Sequence, residues 1–329
     1  MRPPTFRDAV NLALHDELER DPKVLLFGED VAAAGGVFQV TRGLSAEFGP
    51  QRVFDTPISE LALAGAAFGC AVTGFRPVIE IMFGDFATLA ADSLINQAAK
   101  YGYWSGGKHA MPIVVRTTMG AGGRFGAIHS QSPASLFLNV PGIKVVTPST
   151  PEDAYALLRA SIRDDGPVIF IEHKGLYQDR AKAASFDGEP QELGVARTLR
   201  AGADVTLVGV MKTLKVAMEA AEWLSERDGV ECDVIDPRCL KPLDVDAVVR
   251  SVKRTGRLVV VDEGPLFASW CAELVAAVVE RVPGLAHAQR LGSPDRPLPF
   301  SPVLEDAALP SSQDVYDLVK GMLQQKESA

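Results

Sequence analysis

The chain has 329 residues, of which 47% are hydrophobic and 23% charged, and this ordinary globular composition excludes a disordered or fibrous protein. The net charge of -9, without a long Lys/Arg run, argues against nucleic acid or an anionic membrane surface as the main partner. No apolar run is long enough to span a bilayer, no signal-like segment precedes the first helical pattern, and the four cysteines form no C-x-x-C pair. We therefore expect a two-domain protein of the cytoplasm.

Short β-branched segments alternate with helical stretches from Lys23 to His173. The candidate strands are, in chain order, KVLLFGED, RVFDT, RPVIEI, MPIVVRTT, IKVVTPS and PVIFIEH. This alternation predicts a parallel sheet that is covered by helices on both faces. We expect it to form an α/β domain over residues 1–178.

A polar stretch without apolar periodicity begins near Asp179 and predicts a linker over residues 179–195. Strands and helices then alternate again, which predicts a second, smaller α/β domain over residues 196–329. Its candidate strands are DVTLVGV, VECDVID, GRLVVVDEG and AHAQRL, and its candidate helices lie around 216–227, 245–253 and 271–282.

The stretch FDTPISELALAGAAFGCAVTG contains the first candidate functional residue. Pro57 forces a turn after a strand, Ser59 is a plausible N-cap, and Glu60 opens a helix. The helix consists mainly of alanine and glycine, which predicts that another backbone packs closely against it. An acidic residue in a first helical turn is favoured by the helix dipole, so the position of Glu60 alone does not require a catalytic role.

Two further stretches place candidate residues after strands. Phe83 and Phe86 follow one strand, where aromatic side chains form either core or a platform for a ring. The glycine-rich loop in RTTMGAGGRFGAIHSQSP matches no phosphate-binding fingerprint and leads to His129. A histidine there can donate a proton, bind a carboxylate or simply form loop hydrogen bonds. Hydrolysis by a serine nucleophile is not favoured, because no G-x-S-x-G motif is present.

Ordered blocks along nearly the whole chain resemble the β subunits of thiamine-diphosphate-dependent 2-oxoacid dehydrogenases, a family that includes pyruvate, branched-chain 2-oxoacid and acetoin enzymes. The blocks are FGEDV, GGVFQVTRGL, RVFDTPISE, NQAAK, SGG, HSQS, PGIKVVTPSTPEDA, PVIFIEHKGLY, DPRCLKPLD, TGRLVVVDEG and PFSPVLED. The resemblance implies a pyrimidine-binding parallel-sheet domain followed by a transketolase C-terminal-like α/β domain.

The same resemblance implies roles for individual residues. Glu60 corresponds to the glutamate that shares a proton with the aminopyrimidine ring, and Phe86 corresponds to an aromatic residue packed on that ring. Ile58, in the same motif as Glu60, lies beside the ring. His129 corresponds to the active-site histidine that acts when the substrate carboxylate or the lipoyl group enters. Several members of the family bind a potassium ion, largely through backbone carbonyls, at positions that correspond to Ile113, Ser161, Ile162, Asp164 and Gly166.

The family's diphosphate and magnesium motif, Gly-Asp-Gly followed by a distant Asn, is absent from this sequence. The resemblance therefore implies that an α subunit holds the diphosphate and Mg²⁺, that two α and two β chains assemble, and that a dihydrolipoyl acyltransferase core with its lipoyl domain is a further partner. The implied activity is oxidative decarboxylation of a 2-oxo acid with acyl transfer to a lipoyl group.

The sequence keeps one alternative to that activity open and argues against two others. PFSPVLED slightly favours acetoin enzymes and keeps acetoin cleavage open. A non-catalytic scaffold subunit conflicts with the joint retention of Glu60, Phe86 and His129, and a freestanding transketolase-like enzyme conflicts with the missing diphosphate motif. Departures from the family pattern at Trp104, Asn139 and Met211 leave the substrate preference undecided.

Overall fold

The computed structural model describes residues 2–183, 185–186, 188–285 and 287–324. The chain forms two compact units, which confirms the predicted two-domain α/β class. Unit 1 comprises Met1–Gly120, Ile128–Leu193 and Leu240–Pro242, and unit 2 comprises Ala121–Ala127, Gly194–Cys239 and Leu243–Ala329. Across the described ranges, no helix has the length and apolar character needed to cross a membrane.

Unit 1 is built around a seven-stranded sheet. Its strands are β1 (Val24–Gly28), β2 (Val53–Asp55), β3 (Arg76–Ile81), β4 (Val114–Met119), β5 (Lys144–Val146), β6 (Val168–His173) and β10 (Cys239–Lys241). The strand order is β10-β5-β6-β4-β3-β1-β2, and β1 to β6 pair in parallel. Most residues of the central strands are buried, because helices cover both faces of a parallel sheet. The predicted parallel sheet is thus confirmed, and β10 is an addition that the sequence pattern did not indicate.

The α-helices of unit 1 are α1 (Phe6–Arg20), α2 (Leu44–Phe48), α3 (Glu60–Val72), α4 (Ala99–Trp104), α5 (Ala134–Leu138) and α6 (Pro151–Arg163). The three long helices of unit 1, α1, α3 and α6, begin after residues whose side chains accept hydrogen bonds from free backbone N–H groups. Thr5 and Asp8 form a capping box, and the Thr150 side chain accepts a hydrogen bond from Asp153 N ahead of Pro151. Short 3₁₀ helices span Gly84–Thr88 and Lys174–Leu176, and a π-helix spans Asp92–Ala98.

A buried ionic network connects the three central strands of this sheet. Arg116 on β4 donates to Glu80 on β3 at 2.6 Å and to both carboxylate oxygens of Glu172 on β6 at 2.7 and 3.0 Å. The Tyr177 hydroxyl donates to Glu172 at 2.8 Å. Burial raises the pKa of Glu172, while the charge of Arg116 opposes that rise. The network therefore holds a guanidinium in the core only because two carboxylates surround it.

Unit 2 contains a five-stranded sheet with the order β12-β11-β8-β9-β7. The strands are β7 (Arg197–Arg200), β8 (Val205–Gly209), β9 (Cys232–Asp236), β11 (Arg257–Pro265) and β12 (His287–Ser293). The helices are α7 (Met211–Asp228), α8 (Val245–Thr255), α9 (Trp270–Arg281), α10 (Pro302–Asp306) and α11 (Ser312–Gln324). β7 is antiparallel to β9, and the other pairs are parallel. Met211 has a φ of 52°, a left-handed conformation that favours glycine.

Candidate functional site

The candidate residues of unit 1 lie after the carboxyl ends of neighbouring strands. Because these strands are parallel, their carboxyl ends meet at one edge of the sheet, where open α/β sheets bind ligands. Lys174 follows β6, His129 lies in the segment after β4, Phe83 and Phe86 follow β3, Glu29 follows β1, and Ile58 and Glu60 follow β2. The strand order β6-β4-β3-β1-β2 therefore arranges them along that edge in the same order.

Glu60 is the first residue of α3 and is half-buried. Ser59 caps the helix by accepting a hydrogen bond from Ala62 N at 3.3 Å, as its position before the helix predicted. Two apolar side chains close to Glu60 in sequence are uncovered, since Ile58 is 77% exposed and Leu61 is 54% exposed. A carboxylate flanked by exposed apolar groups is suited to a ligand that combines an apolar ring with a hydrogen-bonding nitrogen.

The alanine- and glycine-rich helix α3 buries only one of its faces. Leu63 and Ala67 are buried, whereas Ala62 and Ala66 on the opposite face are exposed. A Cβ added at Gly69 would meet no atom within 4 Å. The small residues of this second face are therefore not explained by packing within unit 1, and close packing against another subunit stays a prediction.

His129 lies against two phenylalanine rings. Its ring centroid is 4.6 Å from that of Phe83 and 5.3 Å from that of Phe86, and both pairs are edge-to-face, with interplanar angles of 87° and 83°. Phe83 is buried, whereas Phe86 and His129 are half-buried. The structure thus brings together two residues, Phe86 and His129, that the sequence singled out separately.

The backbone around His129 is held by two side chains that the sequence did not single out. Lys174 Nζ donates to the His129 carbonyl and lies 5.0 Å from the centroid of the Phe83 ring. Asp85 accepts hydrogen bonds from the backbone N and from Nε2 of Gln131, at 3.3 and 2.8 Å. Both side chains follow strands of the parallel sheet, and that position is the only sequence feature that could have identified them.

A second carboxylate lies near Glu60. Burial raises the pKa of Glu29, and the negative charges of Asp30 and Glu60 raise it further. Glu29 follows β1 in the block FGED, so its place after a buried strand was visible in the sequence. The edge of the sheet near β1 and β2 therefore concentrates negative charge and favours a ligand that brings a proton or a positive charge.

The positions predicted to bind potassium lie around the end of α6. The carbonyls of Ile162 and Asp164 accept hydrogen bonds from the Arg76 guanidinium at 2.8 and 2.6 Å. The Asp164 carboxylate is paired with Lys144 Nζ at 2.6 and 2.8 Å. Within the described ranges, no group of three or more His, Cys, Asp or Glu side chains is placed to hold a metal ion.

Comparisons with known domains and structures define the class of protein. Residues 2–180 match the transketolase pyrimidine-binding domain, and residues 194–315 match the transketolase C-terminal domain. A structure titled split-gene transketolase, inactive β4 tetramer, has a TM-score of 0.81 and covers 98% of this chain and 99% of its own, at 23% sequence identity. The chain is thus a transketolase-like two-domain α/β protein.

Relatives narrow the class to a family. The β subunit of acetoin:2,6-dichlorophenolindophenol oxidoreductase from Bacillus subtilis is 45% identical over 333 residues, which covers 97% of each chain. The pyruvate dehydrogenase E1 component subunit β from Rickettsia felis is 44% identical over 322 residues, which covers 96% of this chain and 97% of its own. The chain belongs to the family of β subunits of thiamine-diphosphate-dependent 2-oxoacid and acetoin dehydrogenases. Membership implies an oxidoreductase made of different subunits, an α subunit as partner and thiamine diphosphate as cofactor.

Proposed function

We propose that this β subunit takes part in the oxidative decarboxylation of a 2-oxo acid, pyruvate or a branched-chain 2-oxo acid, and in the transfer of the acyl group to a lipoyl group. The observation that carries the proposal is the arrangement of the Glu60 carboxylate and of His129, with its aromatic neighbours, along one edge of a parallel sheet. The carboxylate serves the cofactor, and the histidine serves the substrate and the acyl acceptor.

The residues near β2 and β3 suit the aminopyrimidine ring of thiamine diphosphate. Glu60 would hold a ring nitrogen by sharing a proton with it, and Ile58 and Phe86 would supply apolar contacts. When bound, the cofactor supplies the carbon nucleophile that attacks a 2-oxo group. The exposure of Ile58 supports this assignment, because an apolar side chain that the chain leaves uncovered is available to a ligand or a subunit.

His129 would bind the substrate carboxylate and donate a proton when the lipoyl disulfide is opened. An imidazole can do both near neutral pH, since it gains and loses a proton in that range. Edge-to-face contacts with Phe83 and Phe86 restrict the orientation of the ring. The histidine would therefore meet its substrate in a defined geometry rather than as a mobile side chain.

The diphosphate and Mg²⁺ would be held by the α subunit, because the Gly-Asp-Gly motif is missing from this sequence. Two α and two β chains would form the enzyme, and a dihydrolipoyl acyltransferase core would supply the lipoyl domain. The exposed small-residue face of α3 supports a subunit interface at this helix.

Acetoin is the second candidate substrate, since acetoin and pyruvate enzymes resemble this chain at nearly equal identity. The assembled enzyme should be assayed by dye reduction with pyruvate, 3-methyl-2-oxobutanoate and acetoin. Turnover of a 2-oxo acid supports the leading proposal, and turnover of acetoin alone supports the second. If the cofactor is bound and none of the three is turned over, the role of a non-catalytic subunit replaces both.

The role of His129 is tested by comparing two assays. His129→Ala should slow acyl transfer to lipoamide more than decarboxylation measured with an artificial oxidant, because only the first reaction breaks the lipoyl S–S bond and needs a proton for the sulfur that leaves. Equal losses in the two assays would remove His129 from the acyl transfer step.

A further inference from the structure

Two short segments of unit 1 that carry candidate residues lie side by side. Residues 84–86 begin the 3₁₀ helix after β3, and residues 129–133 follow the glycine-rich loop after β4. Three pairs of residues join the two segments. The pairs are Gly84 with Pro133, Asp85 with Gln131, and Phe86 with His129. Because the partners of successive residues occur in reverse order, the two segments run in opposite directions.

The first of these pairs is a close steric contact. A Cβ added at Gly84 would lie 2.5 Å from Pro133 Cγ and 2.9 Å from the carbonyl oxygen of Thr118. Glycine therefore lets the backbone at residue 84 approach the segment of residues 129–133 closely. The contact limits the distance between the segments, but it contains no hydrogen bond that would fix their register.

The second pair supplies the polar connection. Asp85 Oδ1 accepts hydrogen bonds from the backbone N and from Nε2 of Gln131, at 3.3 and 2.8 Å. The backbone of Asp85 is itself held within the 3₁₀ helix, where Thr88 Oγ1 donates to its carbonyl at 3.0 Å. One carboxylate thus connects the residue before Phe86 to a residue two positions after His129.

Two polar atoms of these segments are buried without a hydrogen-bond partner among the residues that the structure describes. They are Asp85 Oδ2 and Ser130 Oγ, and Ser130 is the neighbour of His129 in the chain. A buried polar atom without a partner lowers stability, so stability alone does not explain a carboxylate and a hydroxyl at these positions. Their presence points to a functional role of the contact.

We infer that Asp85 is a positioning residue for His129 and acts on the reaction only through the histidine. Its carboxylate fixes the register of residues 129–133 against residues 84–86, and this register brings the imidazole edge-to-face against Phe86 at 5.3 Å. This role rests on the proposed functions of His129 and Phe86. It adds that a single carboxylate sets the position of the residue for the acyl acceptor relative to the residue for the cofactor ring.

The kinetic test compares acyl transfer to lipoamide in variants of the assembled enzyme. Asp85→Ala should slow acyl transfer by about tenfold, and decarboxylation with an artificial oxidant less, because a displaced group loses much of the advantage of a fixed geometry. Asp85→Asn should lose less, since its amide oxygen can still accept both hydrogen bonds. Asp21→Ala is the matched control, because Asp21 also accepts a hydrogen bond from a backbone N, that of Lys23 at 2.9 Å. It should keep both rates, and equal losses in the two alanine variants would overturn the inference.

A double-mutant cycle distinguishes positioning from a general loss of structure. In His129→Ala no imidazole is left to be placed, so adding Asp85→Ala should change acyl transfer by no more than about twofold. Losses that multiply in the double variant would mean that Asp85 does not act through the histidine. A failure of the proposed function gives a different result, since His129→Ala alone would then keep the normal rate of acyl transfer.

Crystal structures of the assembled enzyme test the placement without reference to turnover. In Asp85→Ala the imidazole of His129 should leave its edge-to-face contact with Phe86, whereas in Asp85→Asn it should stay. If Asp85→Ala does not fold, Gln131→Ala replaces it, because Gln131 is exposed and its loss removes the Nε2 donor. A smaller shift in the same direction is expected there. An imidazole that keeps its wild-type position in the variant that folds would overturn the inference.

Discussion

Lys174 Nζ donates a hydrogen bond to the carbonyl of His129, a residue 45 positions earlier in the chain. The same ammonium lies 5.0 Å from the centroid of the Phe83 ring, and that ring packs edge-to-face against His129 at 4.6 Å. Lys174 thus contacts both the backbone of His129 and the ring that orients its imidazole. This makes Lys174 a positioning residue for His129, in the sense that it acts through the histidine and not on the substrate.

Lys174→Met should lower the rate of acyl transfer to lipoamide by about tenfold, a small part of the roughly 10²- to 10⁴-fold that general acid–base catalysis contributes. Lys174→Arg should retain most of the rate, since it can still donate to the carbonyl. Lys100→Met is the control, because Lys100 also donates to a backbone carbonyl, that of Pro141 at 3.2 Å. The pH dependence of acyl transfer should change only in Lys174→Met, and equal behaviour of both methionine variants would reduce Lys174 to a structural role.

Glu60→Gln should reduce turnover at least about 100-fold while the α and β chains still assemble, because an amide cannot share a proton with the ring nitrogen in the same way. Glu152→Gln is the matched control, since Glu152 also lies in the first turn of a helix in unit 1. It should retain turnover. If the two variants behaved alike, the carboxylate of Glu60 would serve only the helix dipole.

Arg116→Met should destabilise unit 1 by about 3–5 kcal/mol, because it leaves the carboxylates of Glu80 and Glu172 buried without their cation. Urea unfolding followed by circular dichroism measures the change. Arg281→Met, which breaks an exposed pair with Asp246, is the comparison and should unfold near the wild-type midpoint. A small effect of Arg116→Met would mean that the two carboxylates take up protons and remain buried as neutral acids.

The buried carboxyl group of Asp262 on β11 should make the stability of unit 2 depend on pH. Burial raises its pKa from 3.8 to about 6, so the folded state keeps a proton that the unfolded state has lost. The stabilisation of the folded state by this proton is fully present below pH 3.8 and is lost as the pH rises through about 6. Asp262→Asn, which mimics the protonated form, should therefore be more stable than the wild type above pH 6, by at most about 3 kcal/mol. Unfolding midpoints of both proteins between pH 4 and pH 8 check this, and parallel curves would contradict it.

The parallel sheet of unit 1 was predictable because most of its strands are short buried runs with their own local pattern. Strands β7 and β10 were not predictable from the sequence. β7 (Arg197–Arg200) contains only Leu199 as a strongly apolar residue, and the three residues of β10 (Cys239–Lys241) join a sheet whose other strands lie far earlier in the sequence. Pairing at such a distance leaves no periodic pattern in the segment itself.

The candidate site was predictable where a residue type, a position and a family motif coincided, as for Glu60 and His129. Lys174, Asp85 and Glu29 were missed for a physical reason. Each is a polar residue that follows a strand, and its importance comes from a residue that follows another strand, which is visible only once the strand order is known. Arg76 was missed in the same way, since nothing in RPVIEI indicates contact with the end of α6.

In the proposed enzyme the cofactor site is divided between two chains, and calorimetric titration tests this division. Thiamine diphosphate and Mg²⁺ are titrated into this chain alone and into the chain co-expressed with its α subunit. We expect binding to the assembled pair and none to the lone chain, because the Gly-Asp-Gly motif for the diphosphate is missing from this sequence. Tight binding to the lone chain would contradict it, since this chain would then hold a complete site by itself.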